Sequence, residues 1–136
     1  MTLFVDTSVW SLAFRRDEPA LGAHAGALRK ALEEGQTIVT TGLVLQELLQ
    51  GFSGPKARAL ILEHFSAIPL LTPDREDHIE AATLRNNCRR KGVEVGTIDA
   101  LIAHLCIRHA LTLLSTDGDF ANIARHSDLN VWSARV

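Results

Sequence analysis

Four short apolar runs, each bounded by polar residues and followed by helical spacing, constrain this chain more than any other feature. They lie at 3–5, 37–40, 68–71 and 111–114. Runs this short cannot make a helix and read as buried strands. Pro69 lacks a backbone N–H, so the third strand belongs at a sheet edge. Between the runs, Trp10, Leu12, Ala13 and Phe14 mark a first helical stretch. An Ala- and Leu-rich segment from 22 to 34 follows, and Gly35 suits its stop. Thr41 is placed to cap a helix through about Gly51, and another covers 57–65. Asp74 caps a long helix through about Arg90. Thr97 caps the next, with Ile98, Leu101, Ile102 and Leu105 at helical spacing. A short helix at 120–124 and a last strand near 130–132 complete the order. Strands alternating with helices predict one α/β domain over 1–136: three layers, α/β/α, around a parallel sheet of four to five strands.

Carboxylates fall at telling places in that order. Asp6 directly follows the first strand, and Asp117 directly follows the fourth. In doubly wound sheets, ligands sit at the carboxyl ends of strands where the strand order reverses. If strands one and four flank such a point, both acids face one crevice. Glu47 lies in the apolar helix "LVLQELLQG", and Asp99 lies in the first turn of "TIDALIAH". Singly, each has a plain structural explanation as a turn former, a cap, an exposed face residue or a partner of the helix dipole. Together they make a cluster whose mutual repulsion raises at least one pKa. A hard divalent cation resolves that repulsion, and oxygen ligands suit Mg²⁺ or Mn²⁺. Such a centre serves phosphodiester hydrolysis.

The remaining composition narrows the class. A hydrophobic fraction of 46% supports a real core, while the absence of an 18-residue apolar run argues against a spanning helix. "MTLFVDTSVW" has no basic start and no long apolar stretch, so no signal peptide and a cytoplasmic location are expected. Cys88 and Cys106 lack CxxC spacing and read as reduced core residues, and no HExxH pattern offers a zinc site. The net charge is −2; removing Asp6, Glu47, Asp99, Asp117 and Asp119 from it leaves +3. Arg85, Arg89, Arg90 and Lys91 form a modest basic group beside the acids. The loop at 91–96, "KGVEVG", is expected to be the most flexible segment. No G-x-G-x-x-G or Gly-rich phosphate loop is present, which argues against a nucleotide cofactor.

In this order and spacing, "LFVDTSVW", "LVLQELLQG", "GTIDALIAH" and "LLSTDGDF" resemble the PIN-domain ribonucleases, and most specifically the VapC toxins of toxin–antitoxin pairs. The resemblance covers nearly the whole chain. It implies a compact α/β/α fold and Mg²⁺- or Mn²⁺-dependent cleavage of RNA. It further implies a VapB-type antitoxin partner and a homodimer. Its four acids fall on Asp6, Glu47, Asp99 and Asp117. Asp119 either joins them or caps the helix near Phe120, after a sharp turn at Gly118. Ser8 and Ser115 match small hydroxyl residues that support the carboxylates or their water. The basic group either holds RNA phosphates or forms a solvated helix face. Trp10 and Phe14 either line a groove for an antitoxin peptide or pack in the core. The competing reading is a non-catalytic PIN-like module that binds RNA or protein; intact acids argue against it. A haloacid-dehalogenase-type phosphatase would need a second Asp two residues after the first, where Ser8 stands. A receiver domain would need an acid pair at the first strand end and a Lys after the last strand; neither is evident.

Overall fold

The computed structural model describes residues 1–15 and 22–134. They form β1 (Leu3–Val5), α1 (Thr7–Phe14), α2 (Ala23–Glu33), β2 (Ile38–Thr41), α3 (Gly42–Gly51) and α4 (Pro55–Phe65). The chain continues with β3 (Leu70–Leu71), α5 (Arg75–Arg90), α6 (Thr97–Arg108), β4 (Thr112–Leu114), α7 (Gly118–Ala124) and β5 (Asn130–Val131). The five strands are all parallel, in the order β3-β2-β1-β4-β5, with helices on both faces. Leu3, Phe4 and Val5 pair with Thr112, Leu113 and Leu114, so the central strands end level. The chain runs outward from β1 to β2 and β3, then crosses back to place β4 on the other side of β1. The strand order therefore reverses between β1 and β4.

Local chemistry sets most element ends. Thr41 Oγ1 accepts from the Val44 N–H at 3.3 Å, which caps α3. Asp74 opens α5 with a reciprocal capping box: its carboxylate accepts from the Asp77 N–H, and the Asp77 carboxylate accepts from the Asp74 N–H, both at 2.9 Å. Gly35 follows the C-cap of α2 at φ +66°, a left-handed position that favours glycine. Several expected boundaries shift by one or two residues, two of them for a clear local reason. The N-cap of α6 is Gly96, with Thr97 inside the helix, because Thr97 accepts no capping bond. β3 shortens to two residues at the sheet edge, where Pro69 contributes only its carbonyl, to the Thr40 N–H at 3.1 Å.

The main core gathers fully buried Phe4, Val5, Val44, Ile61, Leu113, Leu114 and Phe120 around the sheet, with Trp10 against Phe65. Ala81, Leu101 and Leu105 form a smaller cluster joining α5 to α6. Both cysteines are buried and free. Among the described residues no helix is long and apolar enough to cross a membrane.

Candidate functional site

At the reversal point, β1 and β4 deliver two acids side by side. Asp6 leaves β1 extended, and its N–H donates to the Leu114 carbonyl at 3.0 Å. Its side chain does not cap α1. Instead Oδ2 accepts from Ser8 Oγ at 3.0 Å and from Ser115 Oγ at 2.9 Å. Each serine hydroxyl carries one proton, and both point at Asp6. The 3.3 Å approach of Ser8 to Ser115 is thus a contact rather than a third bond. As acceptors, Ser8 takes the Thr116 N–H at 3.1 Å and Ser115 takes the Asp117 N–H at 3.0 Å. The two serines thereby lock the end of β1 to the loop after β4. Asp6 is 9% exposed, and its Oδ1 makes no hydrogen bond among the described residues.

Asp117 caps α7: its Oδ1 accepts from the Asp119 N–H at 2.9 Å. The alternative role for Asp119, capping that helix, therefore falls to Asp117. Gly118 is the first residue of α7, and its φ is not positive. An added Cβ there would meet nothing within 4 Å, so the turn does not require glycine. Asp99, in the first turn of α6, projects to the same place. Carboxylate oxygens of Asp99, Asp117 and Asp119 lie within 4.8 Å of one another. Glu47 approaches from α3, where Oε1 accepts from Thr7 Oγ1 at 2.9 Å. Neither Asp6 nor Glu47 places an oxygen within that trio, yet both act on it. The Asp99 carboxyl is pushed up from 3.8 to about 6, first by burial and then by the charges of Asp117, Asp6, Asp119 and Glu47. All five acids thus belong to one electrostatic neighbourhood centred on Asp99.

Such a set fits a hard divalent cation. The donors are all oxygens, three carboxylates converge, and Asp6 keeps one oxygen without a hydrogen bond among the described residues. Burial and the neighbouring acids hold Asp99 protonated to higher pH than an ordinary aspartate. Thr7 was not anticipated as a contributor, although it is the residue that follows Asp6 in the chain.

The basic residues do not act as one patch. Arg85 Nε donates to the Val95 carbonyl at 2.8 Å, tying the loop before α6 to α5. Val95 is itself buried, so the loop at 91–96 is anchored at that point. Arg89, Arg90 and Lys91 are exposed, with Arg90 donating to Asn87 Oδ1 at 2.7 Å. Trp10 and Phe14 pack against the core and also border open space. Trp10 is 2% exposed, and both rings line a groove of about 210 Å³ among α1, α2 and α4.

A charge cluster around the buried Asp77, outside this site, escaped the sequence reading. Asp77 is 1% exposed and accepts from Arg108 Nη1 at 2.7 and 2.8 Å, with His104 Nε2 at 2.9 Å. The Asp74 N–H, Arg108 and His104 hold its carboxyl well below the usual carboxylate range, against the effect of burial. The Asp74-x-x-Asp77 spacing signals the capping box; nothing local signals partners 27 and 31 residues away.

The chain is similar to known proteins along nearly its whole length. The family model described as "PIN domain" matches residues 3–126. Ribonuclease VapC11 of Mycobacterium tuberculosis is 33% identical over 137 residues, covering 98% of this chain and 99% of that protein. Among solved structures, VapBC2 from Rickettsia felis, bound to a promoter DNA fragment, superimposes with a TM-score of 0.72. It is 21% identical, with coverage of 98% of this chain and 100% of that one. VapBC-5 from Mycobacterium tuberculosis, described as a member of the VapBC family of toxin-antitoxin systems, gives 0.69 at 24% identity, covering 98% of each chain.

Proposed function

The chain belongs to the PIN-domain family, and from that premise we propose that it is a metal-dependent endoribonuclease, the toxin of a toxin–antitoxin pair. The observation that carries this reading is the convergence of Asp99, Asp117 and Asp119 at the reversal point of the sheet, with Asp6 and Glu47 alongside. Asp99, Asp117 and Asp119, whose carboxylate oxygens converge, would hold Mg²⁺ or Mn²⁺, with Asp6 and Glu47 completing the acidic surround. When bound, the cation supplies Lewis acidity to a phosphodiester and makes water a better nucleophile.

The chain's own residues organise the rest. Ser8 and Ser115 fix Asp6 through one oxygen and leave the other without a hydrogen bond among the described residues. Thr7 orients Glu47, whose second oxygen is free to accept a proton from water approaching the phosphate. Asp117 is held by its own helix cap. The exposed Arg89, Arg90 and Lys91 bind backbone phosphates of the strand without reading its sequence.

The antitoxin segment occupies the groove that includes Trp10, Phe14 and Leu60, where apolar side chains seat a helix or extended peptide. A basic antitoxin side chain laid against the carboxylates would silence the site. The chain works in the cytoplasm as a homodimer. Exposed Leu70 and Ile79, outside both this groove and the one described below, offer apolar surface for a second copy.

The test is cleavage by the purified chain. RNA incubated with Mg²⁺ or Mn²⁺ should acquire new ends, and EDTA should prevent them. Asp6→Asn should lower the rate at least about 100-fold, the scale expected when one element of a catalytic constellation is lost. Metal-independent ends, or equal cleavage by Asp6→Asn, would refute the proposal. Binding without any cleavage would favour the non-catalytic PIN-like module.

A further inference from the structure

A second groove, of about 410 Å³, opens between α3, α5 and α6, of which α3 also carries Glu47 and α6 also carries Asp99. Leu43 on its α3 side lies one helical turn before Glu47 and so faces the same way. Ile98 on its α6 side immediately precedes Asp99. Its α5 side is a stripe of His78, Ala82, Arg85 and Asn86, spaced along one helix face. The groove is therefore aliphatic on its walls and polar along one rim. No carboxylate lines it, in sharp contrast with the neighbouring site.

The geometry points to this groove as the seat of an unstacked nucleobase, the one next to the phosphate held at the acids. The inference rests on the ribonuclease reading of that site. A base is apolar on its two faces and polar at its edges. Leu43, Ala82 and Ile98 offer surface for the faces, while Asn86 offers both a donor and an acceptor to an edge. Arg85 lines the groove and is tethered through Nε to the Val95 carbonyl, which restrains its guanidinium. A purely apolar partner would bury Asn86 and Arg85 without hydrogen bonds, whereas a base edge or its ribose satisfies them. Asn86 and Arg85 then become specificity-determining residues, choosing which base precedes or follows the cut.

Binding in EDTA tests this without cleavage. Fluorescently labelled single-stranded RNA is compared with an abasic oligonucleotide of the same length, using the full chain, Ala82→Trp and Asn86→Ala. The parent should bind the base-containing strand roughly tenfold more tightly, the scale of one well-seated base. Ala82→Trp fills the groove from an exposed helical position and should erase that difference. Asn86→Ala should reorder affinities among oligo(A), oligo(C), oligo(G) and oligo(U), and it decides the matter if Ala82→Trp fails to fold. Equal parent affinity for the two strands would overturn the inference. So would a difference that survives Ala82→Trp together with an unchanged base order in Asn86→Ala. Light scattering that finds the parent dimeric and Ala82→Trp monomeric would also overturn it, making the groove an interface between copies. A parent that binds bases but never cuts RNA would sink the ribonuclease reading alone.

Discussion

Asp99 concentrates the physics of the site at the scale of one residue. Its carboxyl is raised from 3.8 to about 6 by burial and by four neighbouring acids. Between those two values the native chain binds more protons than the unfolded chain. Stability of the metal-free protein therefore falls as pH rises through this window, and the loss is complete above about pH 6. Asp99→Asn removes that loss. In EDTA the variant should melt above the parent at pH 7.5, and the gap should close by about pH 4; a gap independent of pH would place the raised carboxyl elsewhere. Asp6→Asn is the poorer choice, because Asp6 is nearly buried and takes two serine hydroxyls. The sequence made Asp6 and Asp117 legible through their places at strand ends, and Asp99 through a helix start. It could not reveal that Asp117, rather than Asp119, caps α7, because either carboxylate reaches a free amide at that spacing.

Elements are held in register by polar clasps as well as by the core. Asp77 joins the start of α5 to the end of α6 through His104 and Arg108, while Arg85 joins α5 to the loop before α6. These clasps sit at opposite ends of one helix pair, and Asp99 rides on its second member. Asp74→Ala should cost about 1 kcal/mol, the usual value of an N-cap. Asp77→Ala should cost several times more, because it removes the reciprocal cap bond and the carboxylate shared by His104 and Arg108. Urea unfolding of the two variants gives the comparison; equal losses would mean that the α5–α6 clasp contributes nothing beyond the cap. Since the Asp77 carboxyl is depressed, its stabilisation is full above the ordinary carboxylate range and disappears only in strongly acid solution. Helix starts were readable where a side chain caps them, as at Thr41 and Asp74. The start of α6 was misread by one residue, because Gly96 caps it through backbone geometry alone.

Across the whole molecule, alternating strands and helices foretold the parallel α/β/α layers, but not which strand lies beside which. That depends on the crossover through α5 and α6, which carries β4 past β2 to the far side of β1. The crossover is also what brings Asp117 to Asp6. Charge is divided on the same scale, with acids at the strand ends and Arg89, Arg90 and Lys91 exposed at the end of α5. Arg89→Ala with Arg90→Ala should weaken RNA binding and reduce the slope of log affinity against log salt by about 1.4, two single-strand phosphate contacts' worth. An unchanged slope would return these residues to an ordinary solvated face. The central claim is that acids from the end of β4 and from α6 share one divalent cation, and the cation-induced shift in melting temperature tests it most directly. With Mg²⁺ or Mn²⁺ at roughly 100 times its dissociation constant, the parent should gain about 2.7 kcal/mol of stability, while Asp99→Asn and Asp117→Asn gain little. Equal shifts in all three proteins would contradict the account.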